Sequence, residues 1–316
     1  MEKIATRVAY GNALAEYGAD ENIFVLDADL SVCTMSCKFK EKYPQRFFNS
    51  GIAEANMIGV AAGMATTGKT VFVNSFAMFI AGRGFEQIRN SVAYPNLNVK
   101  LIGTHAGLSV GEDGATHQCL EDIGTLRTVP NVVILCPCDN NETKEAVKAA
   151  IGHKGPVYIR LGRSPVESVT EQADYHFELG KGIKLTEGKD ITIIASGLMV
   201  QEALKAAVML KSEHISARVI DLHTVKPIDK EIIIKAATET GAIITAEEHN
   251  INGGLGSAVA EVLVENCWVP MLRVGVNDVF GHSGTPEELA KKYGISSAHI
   301  VAKAKTVLRM KKEGKS

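Results

Sequence analysis

Short apolar runs alternate with longer stretches of helical period along nearly the whole chain. In the first half the runs fall at 23–27 (IFVLD), 70–74 (TVFVN), 99–103, 132–136 (VVILC) and 157–161. Between them, 53–66, 78–92 and 141–151 repeat their apolar residues with helical spacing. Short strands that are apolar throughout, separated by helices, predict a parallel sheet covered on both faces. A polar stretch of poor period, 164–189, reads as a connection between domains. The alternation then restarts, with strands at 191–195, 217–222, 242–246 and 271–274. Helices are expected at 200–211, 230–238 and 255–266, then from Pro286 and from Ser297. The fold class is therefore α/β, with two domains, each a mostly parallel sheet flanked by helices.

One residue breaks the pattern. Glu54 opens the otherwise apolar, small-residue helix within FFNSGIAEANMIGVAAGM, residues 47–64. Buried there, a carboxylate loses hydration worth several kcal/mol unless a partner is built for it. Apolar surroundings would keep it protonated and able to donate a hydrogen bond. Alternatively it bonds free amides at the helix start, half exposed. Charge chemistry leaves both readings open.

Composition narrows the function classes. The formal net charge is −2, so no basic face points to nucleic acid or to an anionic membrane. The six cysteines show no paired CxxC spacing of a zinc site, and Cys136-Pro-Cys138 closes an apolar strand as small core thiols. The amino terminus has no apolar leader and no run reaches transmembrane length, so a cytoplasmic protein without disulfides is expected.

Open parallel sheets bind ligands at the carboxyl ends of their strands. Those ends here carry Asp27 and Asp29, then Glu54, then NSFAMF with Phe76 and Phe79. His105 and the loop VGEDGATHQ follow, with Asp113 and His117, and the last strand leads to Arg160 and Arg163. Singly, the phenylalanines would pass for core and the histidines for loop residues. Convergence on one sheet edge makes them a candidate site. Gly253-Gly254-Leu255-Gly256 lacks the third glycine of a dinucleotide fingerprint and reads as a tight turn into a helix.

The motifs IAEANM, NSFAMF, GTHAGLSVGEDGATHQ, NVVILCPCD and GPVYIRLGR, with DLHTVKPID, EEHNINGGLG and GHSGTPEEL, occur in one order over nearly the whole chain. Together they resemble the carboxyl-terminal half of transketolase. The resemblance implies a thiamine-diphosphate pyrimidine-binding domain at 1–165, a linker at 166–188 and a carboxyl-terminal domain at 189–316. It implies that Glu54 hydrogen-bonds the aminopyrimidine N1′ and promotes loss of the thiazolium proton. Phe76 and Phe79 would face the pyrimidine, with Asp29 and His117 near the cofactor. His105 and Asp113 would hold sugar hydroxyls, His105 and His117 would stand near the reacting carbons, and Arg7 and Arg163 would grip the sugar phosphate. Cys33 stands where the family often has a phosphate-binding serine, with Thr34 and Ser36 adjacent. Gly82 stands where some relatives carry an aromatic residue.

No run here resembles the family's glycine-aspartate-glycine and asparagine ligands for Mg²⁺ and the diphosphate, a group that needs hard oxygen donors. The resemblance therefore implies a split enzyme, with that half on a partner chain and two copies of each chain in the assembly. Its reaction would move a two-carbon ketol unit from a ketose phosphate to an aldose phosphate. Deoxyxylulose-phosphate synthase, the β subunit of 2-oxo acid dehydrogenases and a non-catalytic regulatory paralogue are the competing readings.

Overall fold

The structure, a computed structural model, describes residues 3–171 and 175–314. Its first sheet has seven strands, in the order Thr224–Lys226, Val133–Leu135, Val157–Arg160, Val99–Thr104, Thr70–Phe76, Ile23–Asp27, Phe47–Asn49. All are parallel except Thr224–Lys226, which pairs antiparallel with Val133–Leu135. Because side chains alternate across a strand, one set faces each layer of helices. Leu26, Val71, Val73 and Leu101 meet Met57, Ile58 and Ala61 of helix Glu54–Ala65. Ile23, Val25, Phe72 and Ile159 meet Tyr10 and Leu14 of helix Thr6–Tyr17 and Val147 of helix Asn140–Gly152. Fully buried aliphatic side chains of this kind contribute about 1.5–3 kcal/mol each, which is why the runs are apolar throughout.

The second sheet runs Met271–Val276, Ile243–Asn250, Ile191–Ala195, Ala217–Asp221, Ile183–Thr186. Its last strand is antiparallel and comes from within the polar stretch that the sequence presents as a connection. The domains are also tied by Thr224–Lys226, which leaves the second half of the chain to extend the first sheet. Neither short strand has the length or alternation to announce itself.

The expected helix 78–92 is not continuous. It forms as a π-helical turn Phe79–Arg83, a short α-helical turn Phe85–Gln87 and a second π-helical segment Ile88–Ala93. Such wide turns favour functional sites, because they reset which residues share a face. At Gly84 a Cβ would lie 2.2 Å from Ile58 Cδ1 and 2.8 Å from Ile80 O, so a larger residue would push this segment off helix Glu54–Ala65.

The glycine run at 253–256 has a structural explanation. Gly253 has φ +82° and turns the chain into helix Leu255–Asn266. The buried Glu247 carboxylate accepts from Leu255 N at 2.6 Å and Gly256 N at 2.8 Å. The helix start thus holds an anion belonging to the protein itself. Among the described residues, no helix is long and apolar enough to cross a membrane. All six cysteines are free, and Cys119, Cys136 and Cys138 are buried.

Candidate active site

Glu54 is the first residue of its helix, and only 2% of it is exposed. It caps no free amide of that helix. Its Oε1 accepts from Ser75 Oγ at 3.1 Å, and its Oε2 lies 3.3 Å from Arg83 Nη1. Ser75 stands at the end of strand Thr70–Phe76, so the sheet edge delivers one partner and the π-helical turn the other. The half-exposed reading is thereby corrected. So is the expectation of wholly apolar surroundings, since a guanidinium faces the carboxylate.

Beside this pair lies an aromatic cluster. Phe76 is stacked on His105, with ring centroids 4.0 Å apart and planes 29° apart, and on Phe79 at 5.8 Å and 19°. His117 stands edge-on to both phenylalanines, 6.1 Å from Phe76 and 5.4 Å from Phe79. The guanidinium of Arg83 lies 4.2 Å from the Phe79 centroid, a cation–π distance. Arg83 therefore touches both the carboxylate and the ring.

His105 is buried, with φ +55° and Nδ1 3.0 Å from Thr104 Oγ1. Burial lowers its pKa to about 3, helped by the positive charges of Arg7 and Arg163 and by His117. It is a neutral imidazole at ordinary pH. His117 is partly exposed, and its Nδ1 lies 2.9 Å from Thr116 Oγ1.

Arg7 and Arg163 border one groove of about 430 Å³, with Ser109, Val110, Glu112 and Pro286. Arg163 Nη1 donates to Val110 O and lies 3.6 Å from Glu112 and 3.7 Å from Asp113. Arg7 Nη1 donates to Cys33 O at 2.8 Å, while its Nε is buried without a partner. Burial pulls the Arg7 guanidinium below its ordinary value, and Arg163 adds to this.

The neighbours of Cys33 have other duties. Thr34 Oγ1 and Ser36 Oγ donate to Asp27 at 2.7 and 2.8 Å, and Leu30 N donates at 2.6 Å. Those hydroxyls are buried on a fully buried carboxylate and do not face the groove. Burial raises the Asp27 carboxyl above its usual value, against the pull of its three donors. Cys33 is itself exposed. Asp29 is exposed and accepts from Asn49 Nδ2 at 2.8 Å, away from the aromatic cluster in its contacts.

Arg160, at the strand end next to Arg163, is structural. It donates from Nε to Asp122 at 2.8 Å, with both residues buried, and from Nη2 to Glu248 O at 2.9 Å. The sequence reading missed Ser75, Arg83 and Glu248. Ser75 was visible inside NSFAMF, and Arg83 sits four residues after Phe79, a spacing that places both on one helical face. Nothing local marks Glu248. Among the described residues, one grouping of metal-ligating side chains occurs, Cys138, Glu142 and Asp221. It is buried, with residues from both domains.

Residues 2–168 match the family model "Transketolase, pyrimidine binding domain", and residues 180–300 match "Transketolase, C-terminal domain". The chain is 50% identical to the "Putative transketolase C-terminal section" of Methanocaldococcus jannaschii, over 97% of this chain and 96% of the relative. It is 43% identical to the "6-deoxy-6-sulfo-D-fructose transketolase subunit SqwH" of a Clostridium species, over 98% and 97%. A solved "Split gene transketolase, inactive beta4 tetramer" superposes with TM-score 0.90 at 50% identity, covering 98% of this chain and 100% of that one.

Proposed function

This chain belongs to the transketolase family as its carboxyl-terminal section, with the pyrimidine-binding and carboxyl-terminal domains, and from that premise we propose that it is one subunit of a split transketolase. Its partner is a chain carrying the family's diphosphate-binding half, with two copies of each in the assembly. The reaction moves a two-carbon ketol unit from a ketose phosphate to an aldose phosphate. The six free cysteines suit a reducing, cytoplasmic setting.

The observation that carries this reading is Glu54, an almost fully buried carboxylate at a sheet edge beside an aromatic cluster. That pairing fits the aminopyrimidine of thiamine diphosphate, which needs an acid partner on a ring nitrogen and an aromatic surface. When bound, the cofactor supplies the carbon nucleophile and the electron sink for cleaving the ketose C2–C3 bond. Glu54 holds a proton between its carboxylate and the pyrimidine N1′. Phe79 and Phe76 position the pyrimidine. Arg83 already covers one side of Phe79, so a stacking ring takes the other side or displaces it.

Neutral His105, whose Nδ1 is taken by Thr104 Oγ1, meets a sugar hydroxyl through Nε2, and Asp113 accepts from another. His117 orients the reacting carbonyl from the rim. Arg7 and Arg163, which both line the groove, grip the terminal anion. The divalent metal and the diphosphate are assigned to the partner chain.

A second substrate reading rests on the 43% relative, a transketolase subunit acting on 6-deoxy-6-sulfo-D-fructose by its name. Two guanidiniums also suit a sulfonate, a tetrahedral oxyanion like the phosphate though of lower charge. The test is to mix the purified chain with its diphosphate-binding partner, thiamine diphosphate and Mg²⁺, then measure ketol transfer from phosphorylated and sulfonated ketoses. Transfer should need both chains. Full turnover by this chain alone, or none by the mixture with any ketose, refutes the reading.

A further inference from the structure

The loop that carries Asp113 is held from the second domain. It runs through the 3₁₀ turns Leu108–Asp113, entered at Gly107 (φ +81°) and left at Gly114 (φ +76°). Glu248, on strand Ile243–Asn250 of the second sheet, accepts from both Ser109 N and Ser109 Oγ, the latter at 3.3 Å. Glu248 and Ser109 are both buried. A Cβ at Gly107 would sit 2.4 Å from Glu248 Cδ, so the loop backbone is pressed against this carboxylate. The main chain of Glu248 is itself fixed by Arg160 Nη2. At the far end, Gln118 Nε2 donates to His282 O at 3.0 Å and Gly111 O at 3.3 Å.

From this geometry we infer that Glu248 is a positioning residue. Through Ser109 it fixes the 107–113 loop, and with it Glu112 and Arg163, which line the groove, and Asp113, which pairs with Arg163, so the second domain sets substrate grip without touching substrate. A buried carboxylate receiving two hydrogen bonds from one loop residue holds that residue firmly, because bonds to a charged group are stronger than neutral ones. The kinetic half of the inference rests on the transketolase reading; the structural half does not.

The test uses the assembled two-chain complex with Glu248→Ala, Glu248→Gln and Ser109→Ala. In Glu248→Ala the KM for the ketose phosphate should rise about tenfold with kcat changed less than about twofold. Glu248→Gln should stay within about twofold of the parent, because its amide oxygen still accepts from Ser109 N. Ser109→Ala keeps the backbone bond, should raise KM about threefold, and should add nothing to Glu248→Ala in the double variant. Independently of activity, hydrogen exchange at the Ser109 amide should quicken about tenfold or more in Glu248→Ala, with strand Ile191–Ala195 unchanged. Unchanged exchange, a Gln variant as impaired as the Ala variant, or a fall in kcat at constant KM would each overturn the inference. If Glu248→Ala does not fold, an unchanged KM in Ser109→Ala overturns it. If the parent complex turns over no ketose, the proposed function fails while the exchange result still decides the positioning role.

Discussion

Arg83 Nη1 lies 3.3 Å from Glu54 Oε2, joining a half-exposed guanidinium to a buried carboxylate. The same guanidinium covers Phe79, so the carboxylate, the cation and the ring form one contact set. Replacing Glu54 with Gln should lower kcat of the assembled enzyme by at least about 100-fold, the scale of a lost proton-transfer group. Assembly, followed by gel filtration, should be unaffected. An unchanged rate removes Glu54 from the chemistry.

Arg83→Ala separates structure from function at the same place. The arginine is 54% exposed but Glu54 is buried, so losing the pair should cost about 1–3 kcal/mol, the penalty left on an unpartnered buried carboxylate. The apparent affinity for thiamine diphosphate should nonetheless change, because the pair occupies the candidate pyrimidine position. Urea unfolding and cofactor titration of the complex read the two effects apart.

Arg163→Ala should raise KM for a phosphorylated or sulfonated ketose by about 10–100-fold, as expected for a lost charge-assisted contact. It should leave an uncharged ketose nearly unaffected. Equal losses on both substrates would assign Arg163 to holding Val110 and the acidic loop instead.

The buried pair Arg160–Asp122 predicts a stability effect far from the chemistry. Asp122 receives Arg160 Nε at 2.8 Å and Tyr158 OH at 2.6 Å, and its Oδ1, without a hydrogen bond, lies 3.9 Å from His249 Nε2. Asp122→Asn strands a buried guanidinium and should destabilise the chain by about 3–5 kcal/mol in urea. A loss below about 1 kcal/mol would show that the arginine finds another partner or water.

Buried histidines predict the acid limb of stability. Burial depresses His105 and His223 to about 3 and His249 to about 4, from an ordinary 6.5. The unfolded chain therefore takes up protons that the folded chain refuses, and this stability, complete above pH 6.5, is lost as pH falls toward those values. Glu142 and Glu247 work oppositely, since burial raises both to about 7 and their contribution is lost as pH rises from 4.5 toward 7. Between 4.5 and 6.5 the two glutamates offset two of the three histidines, so the loss is shallow there and steepens below the ordinary carboxyl value. His223→Gln should make that limb shallower by about 1.4 kcal/mol per pH unit. An unaltered limb would mean that His223 titrates normally.

The parallel strands were legible because burial on both faces demands unbroken apolar runs, as at Ile23–Asp27 and Ile191–Ala195, whose observed limits coincide with the expected ones. Edge strands such as Phe47–Asn49 and Thr224–Lys226 escaped, being three residues long and stabilised by the sheet they join. The helix expected at 78–92 was right in period but not in phase, because π-helical turns arise from packing against helix Glu54–Ala65.

Sequence alone determined the α/β class, the two-domain order and the kinship with transketolase, all of which follow from local pattern and motif order. It also placed Glu54, His105 and Arg163 at strand ends. Only the tertiary structure decided what surrounds them: Ser75 and Arg83 on Glu54, Asp27 on Thr34 and Ser36, and Glu248 on Ser109. Partners that lie 21 to 139 residues apart, as Ser75 and Glu248 do from theirs, leave no periodic trace, because their meeting depends on how sheets and domains close on one another.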